Sequence, residues 1–133
     1  MLIFDRGPIT RAMLRAILEP RAGSVAMSST VGETLEHLRG GGIATLLIDD
    51  TTIKASGDVM AVLAELVDAA RRVGARVALL WSGLEDVQRT TFAALGIDLI
   101  IQKPIAGPAL AAALFPVGKS DDLPPNNLVT QAA

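Results

Sequence analysis

The sequence contains no cysteine and no tyrosine, and only one tryptophan and one histidine. Without cysteine there is no disulfide, no thiol nucleophile and no Cys-based metal site. Aromatic residues make up 3% of the chain while 50% of it is hydrophobic, so the core must be built from Leu, Ile, Val and Ala. The formal net charge is −2, and the basic stripe that a general nucleic-acid binder needs is missing. No apolar run approaches the ~20 residues of a membrane span. Asp5 and Arg6 interrupt the opening apolar stretch before it could read as a secretion signal. There is no Gly-rich phosphate loop, no nucleophile elbow and no base near Ser82, which counts against a small α/β enzyme. The expectation is a soluble cytoplasmic protein, or a cytoplasmic piece of a larger one, with no nucleic-acid or membrane contact and no independent catalysis.

What is present is an alternation. At 133 residues the chain is one domain's worth. Short apolar runs, Leu2–Phe4, Ser24–Met27, Ala44–Ile48, Arg76–Trp81 and Asp98–Ile101, alternate with segments of helical period. The first such segment, 8–19, carries Ile9, Met13, Leu14, Ile17 and Leu18 as its stripe, and Pro20 is expected to end it. Thr30 and Glu33 form a capping box for a helix to about Arg39. Asp58 caps a helix to about Arg72, a fourth runs from about Leu84 to Leu95, and a short last one covers Pro108–Leu114. Beyond Phe115 the composition turns polar and aperiodic. Residues 1–115 are therefore expected to form the domain, and 116–133 a linker or C-terminal arm. Five β/α repeats imply a parallel sheet covered by helices on both faces. Sites in such sheets lie outside the carboxyl ends of the strands.

The strand ends carry Asp5-Arg6, Ser28-Ser29, Asp49-Asp50, Ser82 and Lys103-Pro104. Carboxylates, a hydroxyl and a lysine converging on one crevice form a phosphoryl-handling set. A carboxylate can be the nucleophile, others can hold Mg²⁺, and the hydroxyl and ammonium can bind phosphoryl oxygens. On LIFDRGP, ATLLID, Gly57 eight residues after Asp49, LLWSG and IIQKPI, residues 1–115 resemble a CheY-like response-regulator receiver domain. The resemblance implies a flavodoxin-like (βα)5 three-layer sandwich with a five-stranded parallel sheet in order 2-1-3-4-5. It implies Asp49 at the phospho-acceptor position, supported by Asp5, Ser82 and Lys103, with a cis Lys103–Pro104 peptide.

Three departures point to a pseudo-receiver. The second acid that normally follows the first strand is Arg6, which contributes no metal ligand and is expected to pair with Asp49 or Asp5 instead, leaving Mg²⁺ at Asp5 and Asp49 doubtful. The usual switch aromatic is Ile100. The loop after Asp49 reads DTTIKASG, with Asp50 expected to point away if strand alternation continues. Such a domain is implied to act by docking on neighbouring domains, as part of a bacterial hybrid histidine kinase. The face that includes Arg89, Thr90, Ile100, Gln102 and 107–114 is the candidate. A sharper alternative, also implied by the resemblance, is cyclic di-GMP held by Arg76 and Arg89, with Asp121 and Asp122 of the tail folding back to compete. A third is a phosphorylation-competent receiver that accepts phosphoryl from a histidine kinase on Asp49. His37 reads as a surface residue, and Trp81 as packing beneath the crevice.

Overall fold

The computed structural model describes residues 1–116 and 129–131. Its elements run β1 Leu2–Phe4, α1 Pro8–Ala22, β2 Ala26–Ser28, α2 Val31–Arg39, β3 Thr45–Asp49, α3 Asp50–Ala55, α4 Val59–Arg72, β4 Arg76–Ser82, α5 Asp86–Leu95, β5 Leu99–Lys103, α6 Gly107–Leu114 and β6 Val129–Gln131. The first five strands are parallel in the expected order 2-1-3-4-5, the flavodoxin-like arrangement. A short sixth strand, absent from the sequence reading, adds antiparallel to the β5 edge, with Ile100 opposite Thr130. Asp121 and Asp122 lie outside the described residues.

Side chains alternate cleanly across the sheet, as pleating requires. Leu2, Phe4, Leu46, Ile48, Val77, Leu79, Trp81 and Ile100 form one core with Leu63, Leu66 and Val67 of α4, Leu38 of α2 and Phe92 of α5. Ile3, Leu47, Ala78, Leu80 and Ile101 face the other way, onto Leu14 and Leu18 of α1 and Leu110 and Leu114 of α6. With so few aromatics, one ring pair, Trp81 and Phe92 at 4.8 Å between centroids, anchors the first core. Ile100 is 1% exposed within that core, so it packs the interior and offers nothing to a docking face. The small residues of α6 are likewise internal: Ala111 and Ala113 are buried, and a Cβ on Gly107 would come within 3.1 Å of Ile17.

The end of α1 and its apolar stripe differ from the sequence reading. Pro20 does not end α1, which continues to Ala22. Its ring sits on the solvent side, and the last turn is held from outside the missing bond. Gly23 N–H donates to the Glu19 carbonyl at 2.9 Å, and Arg21 donates to the Phe115 carbonyl at 2.8 Å. The stripe on α1 is also narrower than its spacing implies. Leu14 and Leu18 are buried, but Ile9 is 83% exposed and Met13 55%.

The segment after β3 folds into α3 instead of staying a loop. Asp49 caps it, accepting from the Thr52 N–H at 3.2 Å. The chain then leaves the helix and turns at Gly57, whose φ of +123° no side chain adopts comfortably. Gly57→Ala should therefore lower unfolding free energy by about 1–3 kcal/mol, although open space surrounds the new methyl. Chemical denaturation measures this, and an unchanged midpoint contradicts it.

Candidate functional site

Strand parity assembles the crevice. Asp5 follows Phe4, Asp49 follows Ile48, Ser82 follows Trp81 and Lys103 lies two residues beyond Ile101. Each therefore points to the α1/α6 side of the sheet, just past the carboxyl ends of the strands. Register aligns them: Phe4 is opposite Ile48, and Ser82 opposite Lys103. Ser28 drops out of the set, because its hydroxyl is buried at 2.7 Å from that of Thr34. The Lys103–Pro104 peptide is cis.

Lys103 organises the centre. Its Nζ donates to Asp49 Oδ1 at 2.7 Å and to Asp50 Oδ1 at 2.6 Å. Asp50 does not point away as alternation would have it. Alternation stops at Asp49, where α3 begins, and the first helical residue swings its carboxylate back over the sheet. Asp50 Oδ2 accepts from the Ser82 N–H at 2.8 Å and lies 3.4 Å from Lys54 Nζ. Lys54 Nζ sits 4.4 Å above the Trp81 ring, so the tryptophan packs under the crevice and also supports a cation.

Arg6 forms none of the expected pairs. Its side chain is exposed, and among the described residues it makes no ion pair with Asp5 or Asp49. Its backbone N–H donates to Thr52 Oγ at 2.9 Å. Lys103 reaches the acids from within the sheet, whereas Arg6 sits on the loop leaving β1 and lines only the rim of a cavity of about 360 Å³ with Asp5, Thr10 and Asp49. A second, more apolar cavity of about 430 Å³ runs between α1 and α6, past Met13, Ile17, Ile105 and Leu110, with Asp49, Ser82 and Lys103 at one end.

Charge in this site is strongly conditioned by burial. Asp5 is 2% exposed; its Oδ1 accepts from the Gly7 N–H at 2.7 Å, and Oδ2 has no hydrogen-bond partner among the described residues. Burial, followed by the neighbouring charge of Asp49, raises its pKa above the ordinary 3.8 despite the Gly7 hydrogen bond. Burial also acts to raise Asp50, but the hydrogen bonds from Lys103 and Ser82 and the lysine charges overcome it and bring the group to about 2. Burial opposes the charge of Lys103 too, and its two carboxylate bonds outweigh that and raise its pKa.

The acids do not make a convincing Mg²⁺ site. Mg²⁺ needs several oxygen ligands in near-octahedral geometry. Asp5 Oδ2 is available, but Asp49 Oδ1 is held by Lys103 and Oδ2 by Thr52. No group of three or more potential metal-ligating side chains occurs among the described residues. The position after Asp5 supplies a guanidinium in place of an acid.

The more distant candidates do not converge. Arg76, at the amino end of β4, donates to Thr45 Oγ at 3.1 Å and to the Leu114 carbonyl, and stacks near Phe115. It ties the bottom of the sheet to α6. Arg89 is half-buried in the first turn of α5, beyond the carboxyl end of β4. Gln102 is half-buried on β5, and His37 is exposed. Asp50 is the residue that sequence reasoning placed wrongly. An Asp-Asp-Thr-Thr run after a strand carries the helix-start residue types that could have revealed it.

No protein-family profile matches the chain, and no curated protein matches it in sequence. Solved structures do match in fold. The receiver domain of a Saccharomyces cerevisiae response regulator, solved with a histidine phosphotransfer signaling protein, superposes with TM-score 0.68 at 17% identity over 83% of this chain and 81% of that one. A Burkholderia pseudomallei response regulator with a phosphorylated aspartic acid, calcium ion and citrate gives TM-score 0.70 at 21% identity, over 91% of this chain and 66% of that one. The receiver domain of NtrX from Brucella abortus gives 0.68 at 16%, over 82% and 89%. The fold is that of CheY-like receiver domains. Among the described residues no helix is long and apolar enough to cross a membrane.

Opposite pKa shifts give opposite pH signatures. The folded protein holds Asp50 below its ordinary value, so this carboxylate contributes about 2 kcal/mol above pH ~4, lost as pH falls toward about 2. Asp5 is raised, so its ionised form costs stability at neutral pH, and that cost disappears on acidification. Asp5→Asn, whose amide oxygen can still accept from Gly7, should raise the melting temperature at pH 7 and lose that advantage near pH 3. Thermal melts across pH check this; a lower melting temperature at pH 7 contradicts it.

Proposed function

We propose that this chain is a regulatory receiver-like module of two-component signalling, a pseudo-receiver in which Mg²⁺-dependent phosphorylation at Asp49 is weakened or lost. It acts on neighbouring kinase domains by docking and has no catalytic turnover of its own. The observation that carries this reading is the Lys103 ammonium bridging Asp49 and Asp50. The acidic crevice already holds its counter-cation, so a divalent ion would gain little by entering.

Support comes from both ends of the inference. The fold is that of a receiver, and the gathering of Asp49, Lys103 and Ser82 at the strand ends beside a cis Lys103–Pro104 peptide supports reading them as its site. The exposed guanidinium at Arg6 and the occupied oxygens of Asp49 weigh against a metal-dependent switch. A buried Ile100 has no room for the two-position movement of an aromatic ring. For docking, Ile9 and Met13 form an exposed apolar strip on α1 beside the crevice. One structural neighbour was solved with a histidine phosphotransfer protein, and we read the strip as the contact for a helical domain of a histidine kinase or phosphotransfer protein. Arg76 and Arg89 start from opposite ends of β4, so the cyclic di-GMP alternative gains no support from their placement.

Two measurements test the reading. Adding Mg²⁺ and beryllofluoride should leave the amide resonances of Asp49 and Ser82 in place, whereas saturable shifts at about 100 μM would make the chain a phosphorylation-competent receiver. Arg6→Asp should raise Mg²⁺ affinity at least tenfold by supplying the missing acid. An unchanged affinity would place the defect in residues 50–57.

A further inference from the structure

We propose that Asp50 is an internal anion that occupies the phosphoryl-binding donors of the crevice, and that it is a specificity-determining residue excluding anions from Asp49. This rests on the receiver-like reading above and goes further by assigning the exclusion to one side chain.

The geometry begins with a backbone group. Strand β3 ends at Asp49, which is opposite Leu80, while β4 continues to Ser82. The Ser82 N–H therefore lies beyond its neighbour strand, without a ladder partner on that side. Asp50 Oδ2 accepts it at 2.8 Å. Oδ1 of the same carboxylate accepts from Lys103 at 2.6 Å and from the Thr51 N–H at 2.9 Å. Lys54 approaches Oδ2 at 3.4 Å from the side of Trp81. Asp50 is 2% exposed, so this network is a fixed part of the site.

The consequence concerns Lys103. Among the described residues its ammonium is the cation paired with Asp49. It is shared with a second full negative charge at slightly shorter distance. A trigonal or tetrahedral oxyanion approaching Asp49 would meet two carboxylates and a lysine whose charge is already matched. It would have to displace Asp50 from both Lys103 and Ser82 before gaining either donor. Arg6 on the rim adds a positive charge but contributes none of these buried hydrogen bonds.

The test uses the full chain, Mg²⁺ with beryllofluoride as the anion probe, and the fluorescence of Trp81, the sole tryptophan. Its ring lies 4.4 Å from Lys54 Nζ, which pairs with Asp50, so it reports on the network. Asp50→Asn keeps the size and can still accept from Ser82; Asp50→Ala clears the position. Both should bind the probe at least tenfold more tightly than the parent. Probe binding no tighter than the parent's, in variants with native circular dichroism, would overturn the role of Asp50 and leave the weakened-receiver reading standing. Tight binding by the parent would overturn that reading. Loss of native circular dichroism in both variants would also overturn the proposal, because Asp50 would then be a structural cap on β4.

Discussion

A single ammonium held between two adjacent carboxylates sets the character of this crevice. Lys103 reaches Asp49 and Asp50 at hydrogen-bond distance from the end of β5, and everything around it is arranged to make that possible. The pleat turns Asp5, Asp49, Ser82 and Lys103 to one side of the sheet. The start of α3 turns Asp50 back among them. Removing charges from water is expensive, and a buried pair survives only when its remaining valences are satisfied. Here Thr52, Thr51, Ser82 and Lys54 supply them. The exception is Asp5, whose second oxygen is buried and without a partner among the described residues. Its charge therefore weakens the fold that Asp50 supports.

That contrast bears on function. A buried acid that destabilises its own fold is a common mark of a binding position, and Asp5 has that mark. Yet the other acids are already neutralised from within, and the neighbouring Arg6 points outward. The crevice gathers acids, a hydroxyl and a lysine at the strand ends, and much of the acidic charge is balanced by Lys103 and Lys54. Ile9 and Met13 on α1 are among the exposed apolar side chains that a packed core does not explain.

Much of this was legible in the sequence, for physical reasons that can be named. Period-two alternation fixes which side chains share a face, so ATLLID, LLWS and IIQK put Asp49, Ser82 and Lys103 on one side of the sheet. The sheet order followed from the resemblance and was found. Alternation points Asp50 the wrong way because it ends one residue earlier, where Asp49 becomes a helix cap. The foreign charge of Arg6 is plain in the sequence, but its direction is not, since sequence gives charge without orientation. Pro20 does not stop α1 because a proline in the last turn of a helix can face solvent. The β6 strand gave no signal, because three residues on a sheet edge carry no periodicity.

If the Lys103 ammonium is the counter-cation of the crevice, Mg²⁺ gains nothing by entering. The most direct measurement is the melting temperature of the metal-free chain with and without about 10 mM Mg²⁺ at neutral pH, since a ligand that binds only the folded state raises stability with its concentration. No change is expected. A rise of several degrees that grows with Mg²⁺ concentration would contradict it.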